Sequence, residues 1–244
     1  MGTEESGEES QPSGRPNGLM TDARTEILSR IRQSLPQAYL PGSGSGVPSP
    51  PPSPDFTEPL VEVFVQALEA AQGVVHLVGN QDEARDCLVA EFRNRGVSQV
   101  LSWDPIYLSV PGLGDALQVG GIEMIPSVLA GPDRKTDLVA LEAIPVGLTA
   151  AVAGLARTGS IVVYSDNYRG RLASLLPPVH YAVLNAYQLY PDLAAWISTD
   201  RAGSAIAESS NTVVITGPSR SADIAQTLTL GAHGPKEMHV VLIR

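Results

Sequence analysis

From Thr57 onward the chain alternates between apolar residues at helical spacing and short continuous apolar runs, the pattern of helices packed on a buried sheet. Thr57 predicts a helix cap with Pro59 in the first turn. Leu60, Val63, Phe64, Ala67, Leu68 and Ala71 then share one face, and Gly73 closes the helix. Val74–Val78 predicts a strand, and Gln81–Arg95 an amphipathic helix with Ala84, Cys87, Leu88 and Phe92 inward, ended by Gly96. Val97–Leu101 is the next strand, which completes the spacing of a βαβ unit.

The alternation continues with strands at Ile122–Pro126, Ala143–Thr149 and Ile161–Tyr164, and with a helix or turn at Asp133–Leu141. The small residues of Ala150–Arg157 predict a short helix lying close to the sheet. Pro177 and Pro178 force an extended entry to a strand at Val179–Leu184. Tyr190–Thr199 predicts a helix with Leu193, Ala194 and Ile197 inward, followed by a polar loop, Asp200–Asn211. The tail reads as strand (Thr212–Thr216), tight loop, helix, second tight loop and final strand (Met238–Ile243). The fold class expected is α/β, three-layer, with a mainly parallel sheet flanked by helices.

Before residue 55 the pattern is different. Residues 1–20 lack apolar periodicity and are rich in Glu, Ser, Gly and Pro, the composition of a disordered acidic tail. Residues 21–35 predict a helix with Ile27, Leu28, Ile31 and Leu35 on one face, and residues 36–54 a Pro/Gly/Ser-rich linker. Residues 55–244 form the single α/β domain. A tethered apolar face needs a cover, from its own domain, from a second copy in a homo-oligomer, or from another protein.

Composition narrows the function. A net charge of −10 opposes nucleic acid and anionic membranes as partners. The single cysteine, Cys87, excludes an intrachain disulfide or a cysteine-ligated cluster within one subunit, and its place on a helical core face predicts a structural thiol. The polar, acidic start lacks the pattern of a signal peptide, and no apolar run has the length to span a bilayer, so a cytoplasmic location is expected without membrane insertion. His76, His180, His233 and His239 show no metal-ligand spacing, and no metal or cofactor is expected on this chain. Gly112-Leu113-Gly114 lacks the third glycine of a dinucleotide fingerprint. Neither a nucleophile elbow nor a nucleoside-triphosphate loop is present.

Polar residues of chemical interest gather at strand ends in the tail, where α/β sheets place ligands. Ser219 or Ser221 in GPSRSAD is positioned to cap the following helix. Its first N–H groups, together with Arg220 and the close backbone of Gly217, suit a carboxylate or phosphate. Asp223 is a candidate to orient Arg220 or act as a base. His233, between Gly231 and Gly234, is a candidate proton carrier. Thr149, Thr158, Gly159 and Ser160 offer hydroxyls and close backbone to a polar pocket, or merely satisfy turns.

Taken together, GLTAAVAGLARTGSIVVY (Gly147 to Tyr164), SLLPPVHYAVL (Ser174 to Leu184) and the paired GPSRSADI and GAHGP of the tail resemble the lactate-utilisation domain family, in particular its lactate utilization protein C branch. Ser160 stands where Thr is usual in the family's TGT. The resemblance implies a fold similar to that of glucosamine-phosphate deaminases, ribose-phosphate isomerases and CoA transferases. It also implies a role in oxidising L-lactate to pyruvate beside iron–sulfur partner proteins. No catalytic residue carries over, and neither Glu123 nor Glu142 matches the catalytic glutamate of CoA transferases. Two other readings stay open: a free-standing isomerase or CoA-transferase-type enzyme on a phosphorylated or thioester metabolite, and a non-catalytic assembly factor.

Overall fold

A computed structural model describes residues 18–34, 59–129, 134–221, 229–230 and 234–244. The chain divides into two compact units, Met1–Ser49 and Pro50–Arg244. In the first, α1 (Gly18–Ser34) carries Ile27, Leu28 and Ile31 exposed, with an Arg30–Glu26 pair one turn apart.

The second unit is built on six strands, all paired in parallel, in the order β1-β12-β7-β4-β2-β3. These are β1 (Val74–Val78), β2 (Gln99–Ser102), β3 (Glu123–Pro126), β4 (Val146–Ala150), β7 (Val179–Asn185) and β12 (Glu237–Ile243). The central β7 and β4 are buried at every position, because parallel strands covered on both faces need apolar residues continuously. One face carries α3 (Gln81–Asn94), whose Ala84, Leu88 and Phe92 are buried as its periodicity requires, and α4 (Leu113–Val119). Asn80 caps α3 by accepting from Glu83 N–H at 2.9 Å, while the Glu83 carboxylate accepts from Gly79 N–H at 2.7 Å. The other face carries α6 (Leu172–Leu175). Gly147 allows this approach: a Cβ there would lie 1.8 Å from the Ala173 carbonyl oxygen. The ladder between β2 and β3 leaves a short edge that α5 (Arg134–Glu142) follows in sequence.

A second sheet, ordered β8-β5-β6-β9, has β5 (Ala153–Leu155), β6 (Ser160–Ser165), β8 (Leu189–Tyr190) and β9 (Asn211–Ile215). Here the structure corrects three expectations. Ala150–Arg157 is not a helix; it holds the end of β4, then β5 and one 3-10 turn (Ala156–Thr158). Alanine favours helix, but pairing of β5 with β6 through the Gly159 turn outweighs that local preference. Small residues are needed all the same, since a Cβ on Gly154 would fall 2.5 Å from Leu189. Likewise Asp200–Asn211 is largely helical: α8 (Asp200–Glu208) is capped by Thr199 and packs Ala202 against Trp196 of α7 (Leu193–Ile197). In α7 the buried residue is Trp196, whereas Leu193 and Ile197 are exposed, so the inward face expected there is rotated.

The first helix of this unit, α2 (Leu60–Ala70), buries Phe64 and Leu68, as its pattern predicts. It ends differently from the glycine stop expected: Gln72 takes the left-handed conformation at φ 67°, and Gly73 is required because a Cβ would sit 2.4 Å from Leu68 Cδ1. Among the described residues, no helix is long and apolar enough to cross a membrane.

Candidate functional site

The loops that the sequence singles out converge on the last turn of α2. Gly159 has φ 62°, and a Cβ there would stand 2.2 Å from Leu68 N. Gly217 has φ 69°, and its Cβ would stand 2.3 Å from the Ala71 carbonyl oxygen. Arg220 donates from Nη2 to that same oxygen at 2.7 Å, satisfying a helix-end acceptor. Beside them the hydroxyls of Thr158, Ser160 and Thr216 form a chain, with both O···O distances 2.7 Å. These side chains hold α2 against the second sheet.

No helix starts at Ser219, one of the two caps expected, and the helix that Ser221 would cap lies outside the described residues. Arg220–Ser221 form β10, paired antiparallel with β11 (Thr229–Leu230), and Ser219 N–H donates to the Pro235 carbonyl at 2.8 Å. Asp223 and His233 lie outside the described residues. A small cavity of about 150 Å³ does bring Gly217, Ser219 and Gly234 together, with Ser174, His180 and Met238 across from them. No described residue lining it is acidic, Lys or Arg.

Thr149 sits inside β4 instead of at a strand end. Its hydroxyl lies 2.9 Å from His180 Nε2, and both side chains are fully buried. Burial, helped by nearby His239, pushes the His180 imidazole down to about 4, so it is neutral at physiological pH.

Because successive strand residues face opposite ways, Tyr181 and His239 point to the α3 side of the sheet. A polar network absent from the sequence reading lies there. Tyr181 donates to Glu91 at 2.8 Å; Arg95 donates to Tyr181 at 2.9 Å and to Glu237 at 2.7 Å, and its Nη2 lies 2.9 Å from His239 Nε2. His239 Nδ1 meets His76 Nε2 at 3.0 Å, with ring centroids 5.3 Å apart. His76, Glu91 and His239 together present metal-ligand atoms within 4.8 Å of one another. The two imidazole nitrogens face each other head-on as in a hydrogen bond, and the Arg95 cation abuts the ring, so the arrangement fits a closed hydrogen-bond network better than a cation cage. Burial lowers both histidines, and the Arg95 hydrogen bond holds the Glu237 carboxyl below its usual range. Arg95 and Glu237 are 142 residues apart in the chain, which is why no local motif announced them.

Cys87 is half-buried on α3, and burial raises its thiol, in keeping with a structural role. A cleft of about 460 Å³ lies beyond the carboxyl ends of β2 and β3, bordered by Trp103, Tyr107, Ser127 and Tyr168.

A parallel sheet covered on both faces, with ligand-sized space beyond its strand ends, places the protein in the α/β class. The chain belongs to the LUD domain family, whose model matches residues 61–243. It is similar to an uncharacterized protein of Neisseria meningitidis serogroup B, 34% identical over 103 residues, 41% of this chain and 42% of that protein. It is also similar to lactate utilization protein C of Shouchella clausii, 28% identical over 149 residues, 61% of this chain and 63% of that protein. The chain thus spans less than two thirds of these relatives' length. Among solved structures, a DUF162 family protein from Deinococcus radiodurans shares the fold with TM-score 0.51 at 14% identity, covering 76% of this chain and 96% of that one.

Proposed function

We propose that this chain serves L-lactate utilisation as a component that works beside iron–sulfur partner proteins in oxidising L-lactate to pyruvate. The observation that carries the reading is the match to relatives named lactate utilization protein C, within a family whose model spans most of the chain. Two features support the division of labour. A chain with one cysteine, half-buried and with a raised thiol pKa, supplies no cysteine set for a cluster of its own, so electron transfer falls to a partner. Among the described residues the histidines, His76, His180 and His239, are tied into hydrogen bonds with Thr149, Arg95 and each other, which suits a binding role for this part of the chain. A small carboxylate or phosphate remains a ligand proposal for the tail loops, carried by Arg220, whose guanidinium is exposed and has donors beyond the one given to Ala71.

Deletion of the gene in a host without another lactate oxidase tests this role. Growth on L-lactate as sole carbon source should fail and return with the intact gene. Undiminished growth would refute it.

A further inference from the structure

We infer that the cleft beyond the carboxyl ends of β2 and β3 binds an uncharged, planar heteroaromatic ring that hydrogen-bonds to Ser127. This goes beyond the lactate role and is read from binding, so it stands or falls separately from the growth experiment.

The cleft is of ligand size, about 460 Å³, and its walls are largely apolar or aromatic: Trp103, Tyr107, Met124, Ile125 and Tyr168. Its position follows from topology. β2 sends the chain outward to β3, whereas β4, on the other side of β2, sends it back to the second sheet, and crevices form where connections diverge in this way.

Two polar side chains at the cleft are engaged within the protein. Ser102 donates to the Trp103 carbonyl at 2.7 Å, and the Asp104 carboxylate accepts from Ile106 N–H at 3.0 Å. Ser127 differs. Its residue is 3% exposed, and its hydroxyl is the one buried side-chain polar atom among the described residues without a hydrogen-bond partner. Such a group is destabilising unless something satisfies it, and because Ser127 lines the cleft, rotation of its side chain would bring the hydroxyl to a ligand there.

The opposite wall is preformed. Asp166 accepts from the N–H groups of Tyr168 and Arg169, both at 2.8 Å, and from Arg169 Nε at 2.8 Å. The Arg169 guanidinium lies 4.7 Å from the Tyr107 ring centroid and 4.1 Å from that of Tyr164. Gly170 lets the loop press onto Ser127: a Cβ there would be 2.0 Å from the Ser127 carbonyl oxygen. Trp103 Nε1 donates to the Gly170 carbonyl at 3.1 Å, which fixes the indole. Tyr168 is thereby left 68% exposed at the rim, its ring 6.4 Å from that of Tyr107, free to stack on a ring entering the cleft.

Charge selects among ligands. Among the described residues no Lys or Arg lines the cleft, whose one charged lining residue is Asp104, and Arg169 in the wall is paired with Asp166. A small anion would therefore be desolvated without compensation, whereas a flat neutral ring satisfies walls and hydroxyl together.

The chain has two tryptophans, so Trp196→Phe leaves Trp103 as sole reporter. Titrate that variant with riboflavin and adenosine as uncharged rings, and with L-lactate and inorganic phosphate as anions; repeat by equilibrium dialysis on the unaltered chain. The expected result is saturable binding of at least one ring compound, weakened about tenfold by Tyr168→Ala and several-fold by Ser127→Ala. Circular dichroism should be unchanged, because neither substitution removes a folding contact described above. Absence of saturable ring binding, equal affinity in both variants, or saturation by the anions alone would overturn the assignment.

Discussion

Thr149 Oγ1 and His180 Nε2 lie 2.9 Å apart, on neighbouring parallel strands, with both side chains buried. Removing the hydroxyl leaves a buried imidazole nitrogen unsatisfied. Thr149→Val should therefore cost about 1–3 kcal/mol, and Thr149→Ser distinctly less, as measured by urea unfolding. Equal losses would show that the bond contributes nothing beyond packing.

The same histidine makes stability depend on acidity. His180 is lowered from 6.5 to about 4 in the fold. Its contribution is complete above pH 6.5, where both folded and unfolded forms are neutral. As pH falls from 6.5 toward 4, only the unfolded chain takes up the proton, and stability drops by about 3 kcal/mol. His76 and His239, also lowered, add to the same slope. Unfolding free energies across that range should decline with falling pH, and His180→Asn should flatten the decline.

Gly159 and Gly217 are tied to α2 by close approach as well as by left-handed backbone. Gly159→Ala should destabilise by more than 2 kcal/mol, combining about 1 kcal/mol of backbone strain with the clash at Leu68. Gly96→Ala is the comparison: its φ is 66° with nothing within 4 Å, so only strain is added. Hydrogen exchange in α2 should accelerate in the first variant and not in the second.

Arg95 links α3 to β12. With Arg95→Met, the carboxyl of Glu237 should return upward toward the ordinary glutamate range, visible by NMR titration. An unmoved Glu237 would mean that some other group lowers it.

Cys87 should behave as a core thiol. Alkylation at pH 8 should be slow in the native protein and fast in denaturant, because burial and Glu91 both raise its pKa. Rapid native labelling would contradict the structural reading.

Much of the architecture was legible in the chain. The apolar runs at Val74, Val179 and Met238 form strands, and of the four residues that its spacing selects α3 buries Ala84, Leu88 and Phe92 and leaves Cys87 half-buried. The errors are also local in origin: Ala150–Arg157 has helix-forming residues that a hairpin partner overrides, and α8 was hidden by a polar sequence with one fully buried residue, Ala202. The candidate site was less legible, and its Asp223 and His233 lie outside the described residues. Glycines and hydroxyls at loops carry the same signature whether they meet a ligand or a helix end, and here Gly159, Gly217 and Arg220 meet α2.

The sequence by itself determined the class of fold and the positions of the buried strands, because alternation and apolar runs depend on neighbours a few residues away. Tertiary structure decided the partners. It joined Gly159 to Leu68, Arg95 to Glu237 and Gly170 to Ser127, contacts set by strand order and sheet faces across tens to more than a hundred residues. The chemistry of each residue was in the sequence, but which group would be satisfied and which, like the Ser127 hydroxyl, would be left wanting a partner was a matter of packing.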